Sequence, residues 1–179
     1  MRIIAGQLKG RRLTSPDWSG LRPTSDKLRE TLFNVLGPSL AGAHVLDGYS
    51  GTGAVGIEAL SRGASHVTFV DSDRRAIDLV QANLRHCGLE EGYAIIRVEF
   101  ARVGPRLEAT PLDIMSLTPP YGAAEMAVAL ATAAGIASAT TLVVVEHAKR
   151  DPPPAQTGSL VLTRDLVSGD SALAFYRVS

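Results

Sequence analysis

From His44 to Glu146 the chain alternates short apolar runs with helical patterns, and this alternation limits the possible folds more than any other feature of its 179 residues. The segments "AHVLD", "SHVTFVD", "YAIIRVEF", "PLDIMSL" and "TTLVVVE" read as strands. Between them, "GAVGIEALSR", "DRRAIDLVQANLRHC" and "AAEMAVALATAA" read as helices. In the second helix Ile77, Val80, Leu84 and Cys87 share one face, and Gly63 and Gly88 stand where helices close on a left-handed residue. Strand–helix alternation requires a parallel sheet with helices on both faces. Two segments break the rule. "DPPPAQTG" reads as a loop, and "SLVLTRDL" with "SALAFYRV" as a closing antiparallel hairpin around Ser168-Gly169-Asp170. Upstream, "RIIAG" and "RRLTS" read as a hairpin around "QLKG". A helix follows, capped by Thr24, striped by Leu28, Leu32, Val35 and Leu36, and ended by Gly37-Pro38. The expected division is an extension over residues 1–40 and an α/β domain over 41–179.

A hydrophobic fraction of 45% supports a sizeable core, yet no apolar run is long enough to span a bilayer. The N-terminus lacks the apolar stretch and cleavage site of a signal peptide. The single cysteine, Cys87, leaves no internal disulfide and fits a reducing compartment. These features point to a cytoplasmic protein. The net charge of zero hides an asymmetry: residues 1–30 carry seven Lys/Arg against three acids, and the rest carries eleven against fifteen. A basic arm on a mildly acidic body points to a polyanionic partner. His44, His66, His86 and His147 have no metal-ligand spacing and read as surface or strand-end residues. Trp18 reads as packing for the arm.

The loop "VLDGYSGTGAVGIE" joins the first strand to its helix and contains G-x-G-x-x-G at Gly51, Gly53 and Gly56. Glycines there let the backbone turn and approach a ligand, and let the helix pack on the strand. Helix-start amides favour an anion. Asp71, twenty residues after Gly51, can accept from both hydroxyls of a ribose. The same pattern serves nicotinamide dinucleotides. Here "GYS" separates Asp47 from the glycines, and a carboxylate at that point suits a ligand with an ammonium group. S-adenosylmethionine carries an ammonium, a carboxylate and a ribose with free hydroxyls.

"TPPY", Thr118 to Tyr121, ends the fourth strand at the carboxyl edge, where open α/β sheets bind ligands. The prolines stiffen the corner and expose the Pro119 carbonyl. Tyr121 can lie against a nucleobase, a contact worth about 1–3 kcal/mol. The Thr118 side chain and the Pro119 carbonyl form a pair of acceptors for an exocyclic amino group. Such a nitrogen is a poor nucleophile because its lone pair is delocalised into the ring. Holding both its hydrogens favours a pyramidal nitrogen aimed at a methyl donor, and positioning does the rest.

Together, "RIIAGQLKGRRL", "GLRPTSDKLRETLFNVL", "VLDGYSGTGAVGIEALSRGA" and "ANLRHCG" resemble the bacterial small-subunit rRNA guanine-N2 methyltransferases of the RsmD type, which modify guanine 966 of 16S rRNA. The likeness is strongest over residues 2–88. It thins after Gly92 to "LDIMSLTPPYG", "VVVE" and the final hairpin. It implies a class I methyltransferase fold, Rossmann-like, with a seven-stranded sheet whose last strand pair is antiparallel. It implies S-adenosylmethionine as cofactor and a partly assembled small subunit as substrate, met by a monomer. The corresponding cofactor residues are Asp47, Tyr49, Gly51, Gly53, Asp71 and Ser72, with Phe100 and Ala101 on the adenine side. The catalytic corner is Thr118, Pro119, Pro120 and Tyr121. Lys9, Arg11, Arg12 and Arg22 correspond to RNA-binding positions. Two positions depart from the family. Thr118 stands where Asp is usual, and a neutral acceptor is about half as strong as a charged one. Phe100-Ala101 stands where Asp or Asn is usual. These departures motivate an alternative, an RNA-binding assembly protein that keeps the fold with weakened or lost chemistry.

Overall fold

The computed structural model describes residues 1–107, 109 and 111–179. Among the described residues, eight strands make one mixed sheet and four α-helices pack on its faces. The central strands are β1 (His44–Gly48), β2 (His66–Asp71), β3 (Tyr93–Arg97), β4 (Ile114–Leu117) and β5 (Leu142–Ala148), all mutually parallel. β7 (Leu160–Ser168) and β8 (Ser171–Val178) form the terminal hairpin, and β8 pairs antiparallel to β5. The sheet order is β3-β2-β1-β4-β5-β8-β7-β6. β6 (Gln156–Thr157) is a two-residue edge strand that pairs with β7, inside the segment read as a loop. It adds an eighth strand to the expected seven.

The order reverses between β1 and β4, so the carboxyl ends of these strands open onto a crevice. β1, β4 and β5 are almost wholly buried, as strands covered on both faces must be, with polar residues such as Asp47 and Glu146 toward their carboxyl ends. Two strands are shorter than their apolar runs. β3 stops at Arg97, and Phe100 begins a 3-10 turn over Phe100–Arg102; β4 begins only at Ile114.

The helix of the arm, α1 (Asp26–Leu36), is capped by Ser25, whose side chain accepts from the Leu28 amide. Thr24 is therefore not the cap, and its hydroxyl is free for other work. α1 buries Leu28, Leu32, Phe33 and Leu36 in the same core as strand residues Val45, Val67 and Val144. The expected N-terminal hairpin is reduced to one bridge, Arg2 with Arg12, and a few backbone hydrogen bonds. It is fixed instead by α2 (Ala54–Ser61). Glu58 of α2 accepts from the Ile4 and Ala5 amides at 2.8 and 3.2 Å. Ser61 accepts from the Leu8 amide and donates to the Ala5 carbonyl. The Gly6 backbone runs so close to Ser61 that an added Cβ would lie 1.9 Å from its carbonyl oxygen. Arg29, fully buried, sets one guanidinium nitrogen 3.7 Å from Glu58 and donates another to the Arg2 carbonyl.

A second tie comes from α3 (Arg74–His86). Its buried Asn83 accepts from the Thr14 amide at 2.8 Å and donates to the carbonyls of Thr14 and Thr52, at 3.1 and 2.9 Å. One side chain thus joins the arm to the glycine loop. α4 (Ala123–Ile136) covers the opposite face of the sheet through Met126, Ala129, Leu130 and Ala133. Cys87 packs in the core, as its helical face predicts. His147 does not lie at the surface: it is buried, with Nε2 2.9 Å from Asp165. Trp18 is half-buried beneath the Arg75 guanidinium, 4.9 Å from its ring centre.

Candidate active site

A cleft of about 450 Å³ opens at the carboxyl ends of β1, β2, β4 and β5. Its walls bring together Arg22, Asp47, Tyr49, Gly51, Asp71, Ser72, Thr118, Pro119, Pro120 and Tyr121, all singled out from sequence. Glu146 and Ser50, to which the sequence assigned no role, lie in the same walls.

The first wall is a backbone construction. β1 ends and the chain turns through Tyr49 at φ 59°, the one non-glycine residue with positive φ among the described residues. A tyrosine in that region is strained, and such strain gathers at ligand sites. Gly51 and Gly53 follow at φ 56° and 79°, and Gly53 leads directly into α2. The third glycine works by closeness: a Cβ on Gly56 would fall 2.3 Å from Phe69 Cε1. Asp71 accepts from the Gly51 amide at 3.0 Å and from the Asp73 amide at 2.9 Å, so the carboxylate is fixed while each oxygen retains a free lone pair. Asp47 is buried and accepts from the Gly56 amide at 2.9 Å. Burial, opposed by that amide and aided by the Asp71 charge, raises its pKa to about 8. Burial and the Glu125 charge likewise push the Tyr49 phenol up to about 12. A cation in the cleft would stabilise the ionised form of Asp47.

The second wall is a side-chain construction. Thr118 donates its hydroxyl hydrogen to the Tyr49 carbonyl at 3.0 Å, which aims its lone pairs elsewhere and ties the two walls together. Glu146 ends the apolar run of β5 with its side chain 6% exposed. Three groups donate to it: Arg22 Nη2 at 3.1 Å, the Thr24 hydroxyl at 2.8 Å and the Tyr121 hydroxyl at 3.2 Å. The Arg22 guanidinium lies over the Tyr121 ring, 3.5 Å from its centre. The ring face read as a platform for a base is therefore covered by an arginine. The only sequence signal for Glu146 is an acid closing an otherwise apolar strand.

Other candidate residues lie elsewhere. Phe100 is 5% exposed and packs against Tyr49, with ring centres 5.1 Å apart. It is core rather than cleft wall because β3 ends before it. Ala101 is exposed and also outside the walls. Lys9, Arg11 and Arg12 are exposed on the arm, where Arg11 donates to the His86 carbonyl at 3.3 Å.

The family model described as Conserved hypothetical protein 95 matches residues 1–177. The chain belongs to this family. Ribosomal RNA small subunit methyltransferase D of Escherichia coli K12 is 36% identical to it over 179 residues, covering 99% of this chain and 89% of that one. The chain is thus a member of the RsmD group that its motifs resemble. The solved structure of Escherichia coli yhhF superposes with a TM-score of 0.84 at 32% identity, covering 100% and 98% of the two chains. A hypothetical protein of Thermus thermophilus gives 0.82 at 30%, covering 99% of each. Within this family the fold is the class I methyltransferase fold, with the reversed strand β8 beside β5 and β6 as an added edge.

The first wall fits S-adenosylmethionine on grounds internal to this structure. Ser50 Oγ is buried in the wall without a hydrogen-bond partner among the described residues, and buried polar groups are seldom left so. The carboxylates of Asp71 and Asp73 give the wall the sign that a cationic ligand needs, and such a ligand would draw the buried Asp47 toward its ionised form.

Proposed function

We propose that this protein is an S-adenosylmethionine-dependent rRNA methyltransferase that acts on the N2 amine of a guanine in 16S rRNA, of the guanine 966 type, on partly assembled small subunits in the cytoplasm, as a monomer. The observation that carries this reading is the sharing of one cleft by the glycine loop with Asp71 and the Thr-Pro-Pro-Tyr corner. The relatives' names add the substrate class.

The cofactor supplies an electrophilic methyl group on a positively charged sulfur. Asp71 holds the ribose hydroxyls, the Tyr49–Gly53 turn and Ser50 hold the amino-acid portion, and Asp47 and Ser72 complete the wall. Thr118, with its hydrogen committed to Tyr49, has only lone pairs left for the target amine. The Pro119 carbonyl is the second acceptor, and Tyr121 supports the base. No residue needs to take a proton before attack; the amine is held and aligned. Residues 1–40 form the RNA-holding extension, with Lys9, Arg11 and Arg12 on phosphates and the body over 41–179 carrying the chemistry. The reduced-activity alternative rests on Thr118 and Phe100. Phe100 lies in the core, which leaves the substituted corner as its main support.

Mass spectrometry of 16S rRNA from cells with and without the protein tests the reading. One additional methyl group on a guanine is expected when the protein is present. Identical rRNA in both, with calorimetry showing stoichiometric cofactor binding, would leave the non-catalytic alternative in its place.

A further inference from the structure

The Arg22–Tyr121–Glu146 cluster has the form of a substrate complex made by the protein with itself. A planar guanidinium lies 3.5 Å above a tyrosine ring and donates to a nearly buried carboxylate at 3.1 Å. Guanine presents the same fragment. Its N1–H, C2 and N2–H₂ form a planar N–C–N edge of donors, and a carboxylate accepts from both nitrogens as it does from arginine. A guanine stacked on Tyr121 in the place of the guanidinium would turn that edge toward Glu146.

We propose that Glu146 reads the Watson–Crick edge of the target guanine, and that Arg22 occupies the base's place until it arrives. This rests on the guanine-N2 reading above and adds the residue that selects the base. Glu146 remains supported when Arg22 leaves, because Thr24 holds Oε2 at 2.8 Å and Tyr121 holds Oε1 at 3.2 Å. Tyr121 is fixed in turn by Ser171, 2.8 Å from its hydroxyl. Arg22 has 55% of its side chain exposed, so it can swing outward toward a phosphate while its partner stays. Without guanine, Arg22 prevents the carboxylate from standing buried and unpaired. Adenine is rejected because its N1 is an acceptor and would face a carboxylate oxygen. Glu146 also supplies the negative charge that Thr118 lacks at the corner: it accepts from N1–H and shares the near N2 hydrogen with Thr118, and the Pro119 carbonyl takes the far one.

The test uses small-subunit particles assembled on 16S rRNA carrying either guanine or 2-aminopurine at the methylated position. 2-Aminopurine keeps the N2 amine but has a bare acceptor at N1. The wild-type protein is expected to favour guanine by about 100-fold in kcat/KM, the upper end of what one good bidentate contact to a base edge discriminates. Glu146→Gln presents an amide that can donate to N1 and accept from N2–H, and it should bring the ratio within about threefold or reverse it. Glu146→Asp, which keeps the charge but withdraws it by one methylene, is the second variant and should lower the preference about tenfold. Circular dichroism confirms that each variant is folded, and any general loss of activity cancels in the ratio. A wild type that accepts both bases equally overturns the proposal, and so does an unchanged ratio in either variant. Methylation of RNA at positions other than guanine overturns the guanine reading itself, a result distinct from the ratio.

Discussion

At one end of the cleft the ligand-facing groups are backbone, held by Tyr49, Gly51 and Gly53 in left-handed conformations and by carboxylates bonded to nearby amides. At the other end they are side chains from three distant stretches, Arg22 and Thr24, Tyr121, and Glu146, that hold one another. The first end is a packed turn that tolerates little change in shape. The second is a polar cluster that can exchange one planar donor for another. A cofactor that every reaction cycle needs in the same pose suits the first. A base that must enter and leave suits the second.

The contrast is most easily broken at Gly56. Alanine there would place a methyl 2.3 Å from Phe69 Cε1 and 2.9 Å from Val67 Cγ1, both in the core. Overpacking of this kind costs about 3 kcal/mol at the upper end of its range, and cofactor affinity should fall with it. Chemical denaturation and calorimetry measure the two losses. An unchanged denaturation midpoint would mean that the turn is softer than its packing implies.

Asp47 gives the next effect, through pH. Its native pKa of about 8 lies above the ordinary value of 3.8, so between these limits the folded chain holds a proton that the unfolded chain releases. Stability from this residue is complete below about pH 4, falls as pH rises, and is lost by pH 8, with a slope of at most about 1.4 kcal/mol per pH unit. Asp47→Asn should flatten that portion of the profile in denaturant titrations across this range. A parallel profile in wild type and variant would show Asp47 to be ionised in the fold.

The smallest effect belongs to the corner. Restoring the family's usual residue by Thr118→Asp is expected to lower turnover a few-fold and stability by about 1 kcal/mol, because a carboxylate would face the Tyr49 carbonyl that Thr118 now satisfies. Single-turnover kinetics and thermal unfolding report this. Faster methyl transfer in the variant would mean that the present corner is impaired.

The backbone-built end was readable in advance because its signals are local. Glycines at fixed spacing, an apolar strand before them and an acid twenty residues on all follow from the conformations that individual residues permit. The strand–helix alternation made the sheet legible for the same reason. What escaped depends on partners far apart in sequence. Glu146 acquires its meaning from Arg22 and Thr24, more than a hundred residues away, and a terminal acid on a strand says nothing of them. Thr24 has the chemistry of a helix cap, and Ser25 beside it took that role. The family resemblance puts Phe100 on the adenine side, but the chain leaves the sheet at Arg97 and turns the ring inward. The arm's attachment escaped for a related reason: a glutamate and an arginine in helices give no sign that they will be buried together.

Asn83 ties the beginning of the chain to the heart of the fold. Deleting the first fourteen residues would take away two of its three hydrogen bonds and would strip Glu58 of the two arm amides that donate to it, leaving these side chains without their present partners. The basic segment is therefore no detachable handle. A trimmed version would lose the footing of its glycine turn along with its basic residues.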